Sequence, residues 1–165
     1  MVKVICNASP IIGLIGIAKF SLLWELFDEV VISEAVYDEL LVGNRVFESN
    51  QINEAISKGY VKVISIRDKD VINLLYGKLH RGELETIIGA KEDPIIKYAI
   101  IDERAARTFA ATMLVDTLGI FGVLIYAKSK GLIEAVRPLV DKLISNGYRV
   151  SQALYNQVLN SVGEL

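Results

Sequence analysis

The chain has 165 residues, 52% of them apolar, a mean hydropathy of +0.40 and a formal net charge of −2. That is enough chain for a single domain with a dense core, and it excludes an overall basic field that would gather nucleic acid from a distance. No apolar run approaches the roughly 20 residues that span a bilayer. The opening Met1-Val-Lys-Val-Ile-Cys6 lacks a signal-peptide pattern, and the lone Cys6 excludes an internal disulfide, so the expected compartment is the cytoplasm.

In chain order, Val2–Cys6 reads as a short β-branched strand. Ser9 as N-cap and Pro10 as first helical residue predict a helix running towards Phe20. Leu22–Phe27 forms a second helical stretch, Val30–Ile32 a strand, and Ser33 caps a helix over Glu34–Leu41 that Gly43-Asn44 ends. Ile52–Lys58 is helical, Gly59 stops it, and Val61–Ile66 alternates like a third or edge strand. Asp68 opens a helix towards Tyr76, and Gly82 precedes one over Glu83–Lys91. Lys97–Asp102 is a strand ending on an acid, Glu103–Thr112 a helix, and Met113–Val115 a last short strand. Helices follow at about Phe121–Lys130, Ile133–Ser145 and Ser151–Val162, with Gly131 and Gly147 as stops. This alternation predicts an α/β/α three-layer fold on a mainly parallel sheet of four to five strands, with extra C-terminal helices.

In such sheets, sites form at the carboxyl ends of the strands, where Asn7 and Asp102 stand. Asn7 either points into that cleft or simply bonds its own turn, and its local sequence leaves the two even. Glu39 borders the apolar stripe of its helix, although by itself it reads better as a solvated helix glutamate, as Glu34 and Asp38 do. Glu85 shares a face with Ile88 and Gly89, which turns it inward, and Glu83 reads as a cap. Asp102 follows an unbroken apolar run, and Arg104 and Arg107 lie close enough to neutralise it or to bind a phosphate. His80, the only histidine, reads as an inert loop residue, Asp116 as a cap for the helix near Gly119, and Cys6 as core. Gly119-Ile-Phe-Gly122 lacks the spacing and lysine of a phosphate loop, and Cys6-Asn7-Ala8 lacks the acidic pair of a phosphoacceptor domain.

Val4-Ile-Cys-Asn-Ala-Ser-Pro10, Val36-Tyr-Asp-Glu39-Leu, Gly82-Glu-Leu-Glu85-Thr-Ile and Ile101-Asp102-Glu-Arg-Ala-Ala-Arg107 together resemble the PIN-domain family, which includes VapC-type toxin ribonucleases. The likeness continues through Leu118–Leu124 and Gly131-Leu-Ile, and is closest to a prokaryotic subgroup opening on Asn-Ala-Ser-Pro. It implies one PIN-like domain over residues 1–165, with its core over about 1–130 and a helical extension over about 131–165. It implies catalytic positions at Asn7, Glu39, Glu85 and Asp102, with Glu39, Glu85 and Asp102 as ligands of Mg²⁺ or Mn²⁺, and substrate contacts from Ser9, Arg104 and Arg107. Asn7 departs from the family's usual aspartate. The implied activity is a metal-dependent endoribonuclease, possible as the toxin of a toxin–antitoxin pair. Its partners would be RNA, an antitoxin protein and a second copy of the chain. The alternative is a non-catalytic PIN module that binds RNA or a protein. For a dimer face, the expectation falls on Leu139, Leu143, Val150, Leu154, Tyr155 and Val158, which could equally cover the sheet.

Overall fold

A computed structural model describes residues 1–165. Five strands form one sheet in the order β3-β2-β1-β4-β5, with every neighbouring pair parallel. They are β1 (Lys3–Cys6), β2 (Glu29–Ser33), β3 (Lys62–Ile64), β4 (Ile96–Ile100) and β5 (Thr117–Leu118). The central strands are continuous apolar runs because both of their faces are covered. Val4, Cys6, Val30, Ile32 and Ile100 point into the main core cluster, and Ile5, Val31 and Ala99 into a second cluster on the opposite face. The main cluster is filled by α1 (Ala8–Gly16), α2 (Leu22–Leu26), α3 (Glu34–Leu41), α4 (Val46–Ser57), α8 (Ile120–Ser129), α9 (Arg137–Ser145) and α10 (Gln152–Ser161). The other face is closed by α5 (Lys69–Leu75), α6 (Arg81–Glu92) and α7 (Arg104–Thr112). The three-layer expectation therefore holds, with the parallel sheet at its upper strand number.

The caps expected at Ser33 and Asp68 are present, and Ser151 lies one residue outside its helix as a further cap, each accepting a first-turn amide. Several boundaries differ. The first helix starts at Ala8, with Asn7 as N-cap, so Ser9 is not the cap and Pro10 is the third helical residue. It ends at Gly16, because Ala18 turns left-handed (φ 56°) before the chain can reach Phe20. The fourth helix begins at Val46, the sixth at Arg81 with Gly82 inside it, and the ninth at Arg137.

Met113–Val115 is not a strand. The Val115 amide bonds the Ala110 carbonyl at 2.9 Å and the Leu114 amide bonds that of Ala111 at 3.1 Å, which closes the end of α7 as a Schellman turn. The edge strand forms two residues later, at Thr117. Leu139, Leu143, Tyr155 and Val158 pack on or into the main cluster, which favours sheet covering over a dimer face, while Leu154 is exposed. No helix is long and apolar enough to cross a membrane.

Leu114 occupies the left-handed position of the Schellman turn (φ 60°) with its side chain 86% exposed. A left-handed non-glycine residue costs about 1–2 kcal/mol, against about 0.5–1 kcal/mol of backbone entropy for glycine. Leu114→Gly is therefore expected to stabilise the protein by about 0.5–1 kcal/mol in urea unfolding, since no buried contact is lost.

Candidate metal-binding and nuclease site

Because all strands are parallel, the residues after β1, β2 and β4 emerge at one edge of the sheet. The Asn7 amide donates to the Ile100 carbonyl at 3.0 Å, which places the start of α1 beside the segment that leads to Asp102. Asn7 is only 5% exposed, and its Oδ1 is the one buried side-chain polar atom with no hydrogen-bond partner. The sequence explains why. An N-cap side chain accepts from the second or third helical amide. The third residue here is Pro10, which has no N–H, and the side chain makes no cap bond to the second either. The oxygen is left facing the cleft.

Glu39 reaches the same place from α3. A Cβ built on Gly82 would lie 2.9 Å from Glu39 Oε2 and 3.5 Å from Asn7 Oδ1. Glycine at this second helical position leaves room for both oxygens against α6. The Glu39 carboxylate has no hydrogen-bond or ionic partner, and its backbone carbonyl accepts from Arg45 at 3.3 Å.

Glu85 is buried on α6, as its apolar neighbours predict, and one of its oxygens accepts the Ala35 amide at 3.2 Å. It thus satisfies a first-turn donor of α3, where the positive end of the helix dipole favours a carboxylate. Glu83 bonds the His80 amide at 3.0 Å, so it is the cap its position implied, and His80 is the N-cap residue of α6.

Asp102 is the most engaged of the acids. Its Oδ1 accepts the Ile120 amide at 2.7 Å and its Oδ2 accepts the Tyr148 hydroxyl at 2.5 Å. Asp102, not Asp116, supplies the anion at the start of α8; Asp116 is exposed, and its carbonyl bonds the Ala99 amide instead. Burial raises the Asp102 pKa, opposed by the Tyr148 and Ile120 bonds and by Arg107. Gly119 gives Arg107 its place, since a Cβ there would lie 2.6 Å from the guanidinium and 3.4 Å from Asp102 Oδ1. Arg104 is exposed and makes no bond.

Tyr148 has no counterpart in the sequence reading. It stands between α9 and α10, and its ring rests on α1, where a Cβ on Gly13 would meet the ring and hydroxyl at 3.0 Å. Its hydroxyl also lies 3.0 Å from the Ser9 carbonyl and 3.3 Å from Ser9 Oγ. Asn146 anchors the same loop by donating to the Gly16 carbonyl at 3.1 Å. A glycine within an apolar helix was the available signal that another element approaches closely there.

The expected residues thus fall into two groups. Asn7 and Glu39 share an open corner, whereas Ser9, Asp102 and Arg107 gather around Tyr148. Glu85 is tied to α3. No three Asp, Glu, His or Cys side chains stand together as a ready-made ion cage.

The sequence family described as "PIN domain" matches residues 3–164. The chain belongs to the PIN-domain family. No curated protein matches it. PIN nucleases generally bind RNA, and PIN domains generally use divalent metal ions. In this PIN domain the donors fit such an ion in kind. An orphaned amide oxygen and an unpartnered carboxylate are hard oxygen ligands, and Mg²⁺ commonly takes one or two carboxylates while keeping several waters.

Tyr148→Phe keeps the ring on Gly13 but removes the bond to Asp102 Oδ2. It is expected to cost about 1.5–3 kcal/mol in denaturant unfolding, the range for a hydrogen bond to a charged group. The Asp102 pKa, already raised by burial, should rise further, since a bond that lowers it is lost; carbon-13 NMR titration of the carboxyl reads this.

Proposed function

We propose that this PIN domain is a metal-dependent endoribonuclease of the cytoplasm, acting as the toxin of a toxin–antitoxin pair and as a homodimer. The observation that carries the nuclease reading is the unpartnered Asn7 Oδ1 beside the free Glu39 carboxylate, at the carboxyl edge of the central strand. Asn7 and Glu39 would hold Mg²⁺ or Mn²⁺, with Glu85 and Asp102 as the further carboxylates of the site. The bound ion would polarise the scissile phosphodiester and lower the pKa of a water.

The chain's own residues do the rest. Arg45 stands at the Glu39 corner, where it donates to the Glu39 carbonyl at 3.3 Å, while Arg104 and Arg107 follow Asp102 and Arg149 follows Tyr148. None of these guanidiniums is within ion-pair distance of a carboxylate, so they supply local positive charge that the net charge of −2 does not. Tyr148 and the α8 amide hold Asp102 in one orientation. Exposed Leu41, Val42, Val46 and Phe47 on α3 and α4 support a covered apolar face, for a second copy or an antitoxin.

The second reading is a PIN module that binds RNA or a protein without cleaving. Neutral Asn7 favours it, as do the hydrogen bonds on both Asp102 oxygens. Mn²⁺ calorimetry together with cleavage of mixed RNA separates the two: no heat of binding and no cleavage at millimolar Mn²⁺ would sink the enzyme. Asn7→Asp adds an anion to the corner, so Mn²⁺ affinity should rise about tenfold or more, with cleavage rising in parallel. Gly82→Ala should do the reverse, displacing Glu39 and lowering Mn²⁺ affinity while leaving the melting temperature intact or higher, because alanine is the better helix former.

A further inference from the structure

A cleft of about 390 Å³ opens beside Asp102, between α8 and α10, and is distinct from the Asn7–Glu39 corner. Its size falls in the range of small-ligand sites. Asp102 and Tyr148 form its inner end, and the chain emerging from α9 and the helix α10 form its outer wall.

Three features of the lining bear on what it takes. Arg107 and Arg149 stand at it, both exposed and neither within ion-pair distance of a carboxylate; Arg107 lies against Gly119 and acts electrostatically on Asp102, so Arg149 is the freer of two forked phosphate donors. Half-buried Phe121 from α8 and Leu154 from α10, 38% exposed, both line the cleft and give it apolar surface. Gln157 projects from α10 into the same lining and makes no side-chain hydrogen bond, which leaves an amide able both to donate and to accept. A flat heterocycle with a polar edge, carried on an anionic backbone, answers all three. Aromatic stacking holds bases without regard to sequence, cations track the phosphates, and a lone amide reads an edge.

We propose that this cleft is a nucleotide subsite, in which one base of single-stranded RNA stacks against Phe121 within reach of Gln157, with its flanking phosphates on Arg107 and Arg149. The proposal rests on the ribonuclease reading for its choice of ligand, and it makes the C-terminal helix part of the substrate-binding surface. RNA passing through the subsite is led past Tyr148 and Asp102 towards the carboxyl edge of the sheet.

The test is fluorescence anisotropy of the full chain with a labelled single-stranded RNA in EDTA, so that cleavage plays no part. Arg149→Ala should weaken binding about five- to tenfold and flatten the dependence of log K on log salt by about 0.7, the value for one phosphate contact on a single strand. Gln157→Ala should weaken it less, and unequally among homopolymer RNAs. Photocrosslinking of 5-bromouridine RNA to the wild-type protein should map to Phe121 or Tyr148. Unchanged affinity in both variants, or crosslinks confined to the Glu39–Arg45 flank, overturns the subsite and leaves the ribonuclease reading standing. An absence of any RNA binding by the wild type overturns both. Tighter binding of an acidic peptide than of RNA, lost in Arg149→Ala, also overturns the nucleotide assignment.

Discussion

The side-chain oxygen of Asn7 is set free by a residue three positions further on, and the open half of the site depends on that arrangement. Of the two amides that an N-cap oxygen can accept from, Pro10 lacks one and that of Ser9 is not taken up, so Asn7 Oδ1 has no partner on its own helix. The extended backbone of Asn7 and its bond to Ile100 keep the side chain at the sheet edge. An unsatisfied buried acceptor costs about 1–3 kcal/mol. The chain bears that cost because the strand behind it is anchored on both faces by fully buried Val4, Ile5 and Cys6. A stable core thus supports one locally unfavourable oxygen, which is how strained polar groups persist at sites.

The two sides of the edge follow opposite electrostatic logic. At the Asn7–Glu39 corner, one carboxylate without protein partners faces a neutral oxygen, so there is charge to attract a cation and little repulsion between the donors. Around Asp102, the carboxylate is matched by an amide, a hydroxyl and a guanidinium, and burial still tips it towards the neutral form. Each Asp102 oxygen carries one hydrogen bond and keeps a lone pair, so an ion there would have to fit beside the Tyr148 and Ile120 bonds. The difference is one of preorganisation: the first group waits for a ligand, and the second is already held.

The sheet was readable from sequence because central parallel strands are short apolar runs, and Val4-Ile-Cys, Val30-Val-Ile and Tyr98-Ala-Ile-Ile are unmistakable as such. Met113-Leu-Val looked the same and misled, because an apolar left-handed residue ending a helix leaves no glycine to mark the turn. At the site, Asn7 and Asp102 were legible from their positions at strand ends, and the inward turn of Glu85 from its helix face. What Glu85 bonds was not legible, since Ala35 lies on a different helix, 50 residues away. Glu39 had no local signal and came from the family resemblance. Tyr148 could not be found at all, because it meets Asp102 across 46 residues and Ser9 across 139, through packing that no periodicity encodes.

That long separation has a consequence for how the protein comes into being. Ribosomes build the chain from its amino end, so Asn7, Glu39, Glu85 and Asp102 all exist before Tyr148 has been translated. A nascent chain that has folded its sheet still has Asp102 without its hydroxyl partner and the notch at Gly13 unfilled. The same holds for any product cut short by a nonsense codon or a protease before the loop between α9 and α10. The site is finished only when the loop between α9 and α10 has been made, 46 residues after Asp102, so its completion reports that the chain has been extended at least that far.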